Sequence, residues 1–363
     1  MEVKKYIVFG VLNWGLGHAT RSIPLIQKLL DLGYSPVIAS DGAALLYLKK
    51  EFPQCSFEEL ASYGINYKFE NLFLQTLYSG PKILKAIRKE KKQLKQIIEK
   101  YKPLALVSDN RLGFHSTKLP CAYISHQNTI IAPFPLSLVN ILHYYFINKY
   151  QEFWIPDFQG SPNLAGKLSQ RKRRAEKIKY LGPLSRFSHK NSNQQEKDID
   201  LLIILSGPEP QRSKLESKLL SQISELDIRS RLIRGSENLA TIEDYDGLEI
   251  RDLVLGDELL ELIERSELIL SRSGYSSIMD YYFLGTKAII IPTPGQSEQE
   301  YLAKKLSEEA VFYSSNQEDL DLKEALLQSK KYLGFRKKDG YPKLNNLEDI
   351  LLSFLQGKTE GRS

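Results

Sequence analysis

Two consecutive α/β units, each wound around its own parallel sheet, are what this sequence predicts, and three observations predict them. Short, continuous apolar runs rich in β-branched residues recur along the chain, as strands buried on both faces require. Stretches with apolar residues at helical spacing alternate with them, so each pair of strands is joined by a helical crossover and runs parallel. A polar, aperiodic stretch near the middle of the 363 residues divides the series into two of similar size.

Taken in order, Tyr6-Ile7-Val8-Phe9-Gly10-Val11-Leu12 reads as a buried strand and Asn13 to Gly17 as a turn. Ile23, Leu25, Ile26, Leu29 and Leu30 then mark one face of a helix that starts near His18 and stops at Gly33. Ser35 to Ser40 is the next strand, which completes a βαβ unit. Leu104 to Val107 and Cys121 to Ile124 continue the pattern. Residues 188–198 read as a linker, and the second series runs through Leu201–Leu205, Ser230–Ile233, Leu268–Leu270 and Ala288–Ile291. The expected division is therefore a Rossmann-like domain over 1–187, the linker 188–198, a second Rossmann-like domain over 199–340, and a terminal helical segment, 341–363, returning to the first domain. In open parallel sheets ligands bind beyond the C-terminal strand ends. Two such domains facing one another would put the site in the cleft between them.

Composition removes several functional classes. With 42% hydrophobic and 26% charged residues the chain builds ordinary cores and is not disordered. Two cysteines, Cys55 and Cys121, make neither a disulfide framework nor a four-ligand zinc site, and both read as small core residues. The five histidines lack metal-ligand spacing, so no metal site is expected. The N-terminal stretch does not read as a secretory signal, and no apolar run reaches the ~20 residues that cross a bilayer. A cytoplasmic protein is expected, without nucleic-acid partners: the basic run at 171–174 lacks the aromatics of such a site. The net charge of +6 is unevenly placed. Between 82 and 102 nine lysines and arginines face only Glu90 and Glu99.

Four strand-end segments have residues suited to chemistry. The first is Trp14-Gly15-Leu16-Gly17-His18-Ala19-Thr20-Arg21, where Gly15 and Gly17 permit close backbone approach and His18 enters the first helical turn. Thr20 stands where a dinucleotide fingerprint needs its third glycine, which argues against nicotinamide chemistry. The second is Ser271-Arg272-Ser273-Gly274, expected to present the Ser273 hydroxyl and the Gly274 amide to an anion, with Asp280 two turns further on placed for sugar hydroxyls. The third, Ile291 to Glu300, ends in Gln299 and Glu300, which together can read several hydroxyls. The fourth, Leu205 to Arg212, offers Ser206, Gly207 and Arg212 to a phosphate, although two prolines remove backbone donors. Asp109, at the end of another strand, stands where a cleft-facing base would be.

In this order the segments resemble the GT-B glycosyltransferases of the MurG type, family 28. Ser271-Arg272-Ser273-Gly274, Asp280, Gly285, Ile291-Pro292 and Gln299-Glu300 are similar to that family's Arg-Ser-Gly…Glu…Gly…Pro…Gln-Gln block. Gly15 to His18 resembles its Gly-rich loop ending in His. Ser125-His126-Gln127-Asn128 resembles its acceptor-side His-Glu-Gln-Asn, and Gly182 to Arg186 its Gly-Asn-Pro-x-Arg. The resemblance implies Asp280 at the ribose of UDP, Gln299 and Glu300 at the donor sugar, and Arg186 at the diphosphate. It places Gly15, Gly17, His126 and Asn128 on the acceptor side. Ser206 to Arg212 departs most, since the family's Gly-Gly-Ser-Gln-Gly is replaced there.

The implied reaction is inverting transfer of a hexose or N-acetylhexosamine from a UDP-sugar to a hydroxyl, with His18 or Asp109 as base. The leaving UDP is stabilised by helix amides and arginine, without a metal or other cofactor. Two other readings are a UDP-sugar hydrolase of the pseudaminic-acid pathway type, which shares Gly15-x-Gly17-His18-x-x-Arg21, and a non-catalytic UDP-sugar-binding subunit. A lipid-linked or cell-envelope acceptor at the inner face of the membrane is one candidate. The basic stretch 72–102 is then either a membrane-surface helix or a helix packing its apolar stripe on the sheet.

Overall fold

The computed structural model describes residues 4–64, 72–127, 138–170, 175–190, 195–235, 242–245, 248–335, 341–342 and 345–356. It divides into two units, Met1–His189 together with Gly340–Ser363, and Lys190–Asp339.

The first unit has strands β1 (Tyr6–Val11), β2 (Ser35–Ser40), β3 (Ser56–Glu59), β4 (Ala105–Asp109), β5 (Cys121–Ile124), β6 (Glu152–Ile155) and β7 (Ile178–Tyr180). They form one sheet in the order β3-β2-β1-β4-β5-β6-β7, every adjacent pair parallel. The apolar runs become the central strands because a parallel sheet is covered on both faces; Ile7, Val8, Phe9 and Val11 are fully buried. Helices α1 (Gly17–Asp31), α2 (Gly42–Glu51), α3 (Leu72–Tyr101) and α4 (Leu138–Ile147) supply the crossovers. The chain leaves β1 for β2 on one side and returns after β3 to β4 on the other. The strand order therefore reverses between β1 and β4, the switch point at which open α/β sheets bind ligands.

The second unit repeats this plan. Strands β8 (Ile199–Ile204), β9 (Ser230–Ile233), β10 (Ile242–Tyr245), β11 (Leu248–Arg251), β12 (Ser266–Ser271), β13 (Ala288–Ile290) and β14 (Tyr313–Ser314) lie in the order β10-β11-β9-β8-β12-β13-β14. All pairs are parallel except β10 with β11. Helices α5 (Gln211–Ile223), α6 (Gly256–Glu264), α7 (Tyr275–Leu284), α8 (Ser297–Glu308) and α9 (Leu322–Ser329) surround it, and the order reverses between β8 and β12. Helix α10 (Leu347–Gln356) belongs to the first unit. Phe354 meets Trp154 edge-on at 5.1 Å between ring centres, and Glu348 lies 3.4 Å from Lys28.

Helix α3 covers the basic stretch. It runs through Pro81 and back to Leu72. Ile87, Leu94 and Ile97 are buried in the core, with Ile83 and Ile98 packed against it, so most of the apolar stripe packs on the protein, while Leu84 stays exposed. Lys82, Lys85, Arg88, Lys89, Lys92 and Lys95 form the exposed face. Cys121 is buried as expected, whereas Cys55 is half-buried, its thiol pushed up to about 11 by desolvation. Leu94→Ala or Ile97→Ala is expected to destabilise the protein by about 2–5 kcal/mol in urea unfolding. Lys92→Ala and Lys95→Ala should stay within about 0.5 kcal/mol.

Candidate active site

The first cluster forms where β1 and β4 end side by side, with Val11 in register with Asp109. Glycine at position 15 takes φ +68°, a left-handed turn that lets the chain leave β1 and enter α1 without a strained side chain. His18 and Arg21 then stand three residues apart on one face of the first turns of α1. Asp109 is completely buried and accepts from Arg21 through both oxygens, Nε at 2.6 Å on Oδ2 and Nη2 on Oδ1. Ser22 Oγ lies 3.4 Å from Oδ2. The other side of the guanidinium reaches His126, Nη1 donating to Nδ1 at 3.0 Å.

His18 Nδ1 lies 2.6 Å from Asp109 Oδ1 and 2.8 Å from Arg21 Nη2. Burial alone would raise the Asp109 carboxyl, but Arg21 and His18 together bring it below the ordinary carboxylate value, so it is ionised. A separation of 2.6 Å from an ionised oxygen requires a proton between the two atoms. We therefore assign Nδ1–H donating to Asp109, which leaves Nε2 with a free lone pair. Burial and then Arg21 hold the imidazole below its usual 6.5, against the pull of Asp109, so His18 is neutral at pH 7. That is the state of a general base, and the His18 side chain retains 12% exposure.

This corrects the expectation for Asp109. It does not face solvent and has no free proton-accepting edge; it orients His18 as a carboxylate behind an imidazole does. Gly17 opens α1, and Trp14 is exposed in the loop before it. Asn128 lies outside the described residues, as does the basic run 171–174. Arg186 belongs to the first unit, its guanidinium 5.4 Å from the Phe187 ring centre.

In the second unit the loops after β8, β12 and β13, three adjacent parallel strands, open at one sheet edge. They bring together Ser206 and Gly207, Arg272 to Gly274, and Ile291 to Gln296. Gly274 is the N-cap residue of α7 and has no side chain of its own to bring to the first-turn amides. Asp280 is buried, not an exposed helix carboxylate. Several expected ligand contacts are instead spent inside the protein. Ser273 is fully buried and donates to the Gln299 carbonyl at 2.8 Å. The Gln299 amide accepts from Thr293 N at 2.9 Å and donates to Gln296 at 2.6 Å, while Glu300 accepts from Gly295 N at 2.9 Å. In this structure both side chains fold the Pro-Gly loop onto the start of α8. Arg212 is held by Glu209 and Glu216, so it is not an unmatched charge awaiting a phosphate.

Among the described residues no group of three or more His, Cys, Asp or Glu side chains is gathered as a metal site. Asp-x-Asp triplets occur at 198–200, 244–246 and 319–321. Asp198 and Asp200 pair with Arg265 and Arg229, and Asp321 caps α9.

Comparison with known proteins agrees with this layout. Residues 211–342 match the glycosyltransferase family 28 C-terminal domain. An uncharacterized glycosyltransferase of Methanosarcina acetivorans is 24% identical over 335 residues, 84% of each chain. The UDP-N-acetylglucosamine--N-acetylmuramyl-(pentapeptide) pyrophosphoryl-undecaprenol N-acetylglucosamine transferase of Clostridium tetani is 26% identical over 80% of this chain and 78% of that one. The crystal structure of CalG4, the calicheamicin glycosyltransferase, superposes with a TM-score of 0.66 at 10% identity, covering 99% of this chain and all of that one. The fold is that of the GT-B glycosyltransferases, and the second unit is similar to the family 28 C-terminal domain.

The ion-paired cluster sets a pH dependence of stability. Asp109 has a lowered folded value, so its contribution is complete above about pH 4 and is lost as pH falls from there through the lower folded value. His18, also lowered, removes stability as pH drops below 6.5, because the unfolded chain takes up a proton the folded chain refuses. Asp109→Asn is expected to cost about 3–5 kcal/mol, since it strands the Arg21 charge. It should also lower the His18 titration midpoint further in an NMR titration.

Proposed function

We propose that the chain transfers a hexose or N-acetylhexosamine from a UDP-sugar to a hydroxyl acceptor, with inversion and without a metal ion. The observation that carries the reading is the His18–Asp109 pair at the switch point of the first sheet. His18 Nε2 takes the proton from the acceptor hydroxyl, whose oxygen attacks the anomeric carbon as the bond to the UDP oxygen breaks. The charge that develops on UDP is met by the backbone amides at the α7 N-terminus in the second unit, where Gly274 keeps the approach clear of a side chain. Asp280, buried two turns along α7, is assigned to the ribose, and Gln299 and Glu300 to the sugar through the loop they fold. Ser206 and Gly207 are assigned to the diphosphate and Arg186 to its negative charge. On the acceptor side stand Gly15, Gly17, His126 and Asn128.

His18→Ala is expected to lower kcat by about 10²-fold or more with UDP affinity unchanged. Wild-type activity should fall on the acid side with a midpoint below 6.5, as the base becomes protonated. Unchanged turnover in the variant removes His18 from the mechanism. Rapid UDP-sugar consumption without any acceptor favours the hydrolase reading, and UDP binding with no turnover under any acceptor favours the binding-subunit reading.

A lipid-borne acceptor is the second element of the proposal. The relative from Clostridium tetani is named for an undecaprenol-linked substrate, and α3 turns a lysine-rich face outward. The described helices include none long and apolar enough to cross a membrane, so the contact proposed is electrostatic and peripheral. Vesicles containing phosphatidylglycerol should sediment the protein in a salt-sensitive way that pure phosphatidylcholine vesicles do not match. Equal sedimentation with both ends the membrane reading.

A further inference from the structure

Arg272 differs from the other described arginines of the second unit. Arg212, Arg229, Arg231, Arg234, Arg251 and Arg265 each pair with at least one carboxylate. Among the described residues Arg272 has no carboxylate partner, although it is only 2% exposed. Its terminal nitrogens donate to neutral oxygens alone: Nη1 to the Pro292 carbonyl at 3.2 Å, Nη2 to the Gln211 carbonyl at 2.8 Å and to Gln317 Oε1 at 2.6 Å. Desolvation without a compensating charge pushes the group down to about 10. A buried cation without a countercharge is costly to keep, and groups perturbed in this way cluster at functional sites.

The unused atoms show where that countercharge belongs. Arg272 Nε–H is buried without a hydrogen-bond partner, and so is the Thr293 hydroxyl, on a residue 1% exposed. Both face one glycine. A Cβ built on Gly207 would lie 3.4 Å from Thr293 Oγ1 and 3.9 Å from Arg272 Nε. Gly207 itself has φ +102°, a conformation side chains rarely adopt, so the spot beside it stays clear. The three residues come from the ends of β8, β12 and β13, on both sides of the point where the strand order reverses. Gly207 and Ser206 are exposed, so the loop that covers the two atoms is in contact with solvent.

We propose that Arg272 Nε and Thr293 Oγ1 bind a phosphoryl oxygen of a nucleoside diphosphate that settles against Gly207 as the exposed 206–210 loop yields. This rests on the reading of the second unit as the nucleotide-sugar binder, and it supplies what the loop lacks. Two prolines remove amides from 206–212, and Arg212 is already neutralised by glutamates. The negative charge of the diphosphate is then met by a fixed, desolvated guanidinium in place of a glycine-rich run of amides.

The test uses the full chain, with UDP, inorganic pyrophosphate and uridine as probes in calorimetry and thermal shift. Thr293→Val keeps the shape and removes a hydroxyl that has no partner, so the ligand-free melting temperature should hold or rise. UDP and pyrophosphate affinity should fall about threefold or more, with any uridine binding unchanged. Arg272→Lys keeps the charge but loses the Nε donor, and the loss for both phosphorylated probes should be about tenfold or more. If Arg272→Lys does not fold, Thr293→Val alone decides. Wild-type affinity for UDP and pyrophosphate in Thr293→Val overturns the inference and leaves the donor reading standing. Failure of the wild-type chain to bind either probe overturns both. Pyrophosphate binding that Thr293→Val weakens, in a protein that binds no UDP, upholds the anion site and removes the nucleotide-sugar reading.

Discussion

An ionised carboxylate with no exposed surface has to be matched where it stands, and Asp109 is matched by Arg21 on both oxygens. The end of β4 and the first turns of α1 are held together by this pair, although the two residues are 88 positions apart in the chain. Its consequence for chemistry follows from helical spacing. His18 lies three residues before Arg21, on the same face, and the same carboxylate therefore fixes its Nδ1. The interaction that docks the first crossover helix also sets the tautomer of the proposed base. No separate device is needed to orient the imidazole.

A second buried network supports the first from behind. Arg111, two residues after Asp109, is fully buried and pairs with Asp41 at the end of β2 and with Glu90 on α3. It also donates to the carbonyls of Val11 and Ala61. Burial raises the Glu90 carboxyl despite Arg111, and Tyr63 donates to it at 2.7 Å. This explains an oddity of α3, a helix with eight cations and two acids between 82 and 101, one of whose acids is completely buried. Glu90 belongs to the sheet end, not to the surface charge pattern. Asn13 is drawn into the same network, its amide nitrogen 3.3 Å from Asp41, which steadies the loop leading to Gly15 and His18.

The parts of this fold that could be read from the sequence are those whose physics is local. The strands at the centres of both sheets are continuous apolar runs because both faces are covered, and β1, β2, β4, β5, β8, β9, β12 and β13 fall where those runs fall. By contrast β3, Ser56–Glu59, has no such run, and β10 pairs antiparallel at an edge. Their pairing comes from neighbours distant in sequence, and propensity carries little of it. At the site, the strand-end positions of His18, Asp109 and Ser271 to Gly274 were legible. The partnerships were not: nothing local announces that Arg21 neutralises Asp109, or that the Gln299 carbonyl takes the Ser273 hydroxyl. Thr293 carried only a weak signal, a hydroxyl between two prolines after a buried strand.

Three arginines lie buried at the C-terminal ends of strands or in the helix facing them, and comparing them separates structure from function. Arg21 has Asp109, and Arg111 has Asp41 and Glu90, so both have carboxylate partners inside the first unit. Arg272 occupies the equivalent kind of place in the second unit, yet is surrounded by carbonyls and an amide. Carbonyl and amide oxygens satisfy its terminal N–H groups but leave Nε–H without a partner and do not neutralise the charge, so the resting fold alone does not explain the residue. A neutral side chain of similar length would avoid the desolvation cost. The position makes sense when the balancing charge arrives with a ligand: a site that carries its cation in advance gains that ion pair only when occupied. In the first unit Arg21 pairs with the carboxylate beside the proposed base, and in the second Arg272 is the cation proposed to meet an anion.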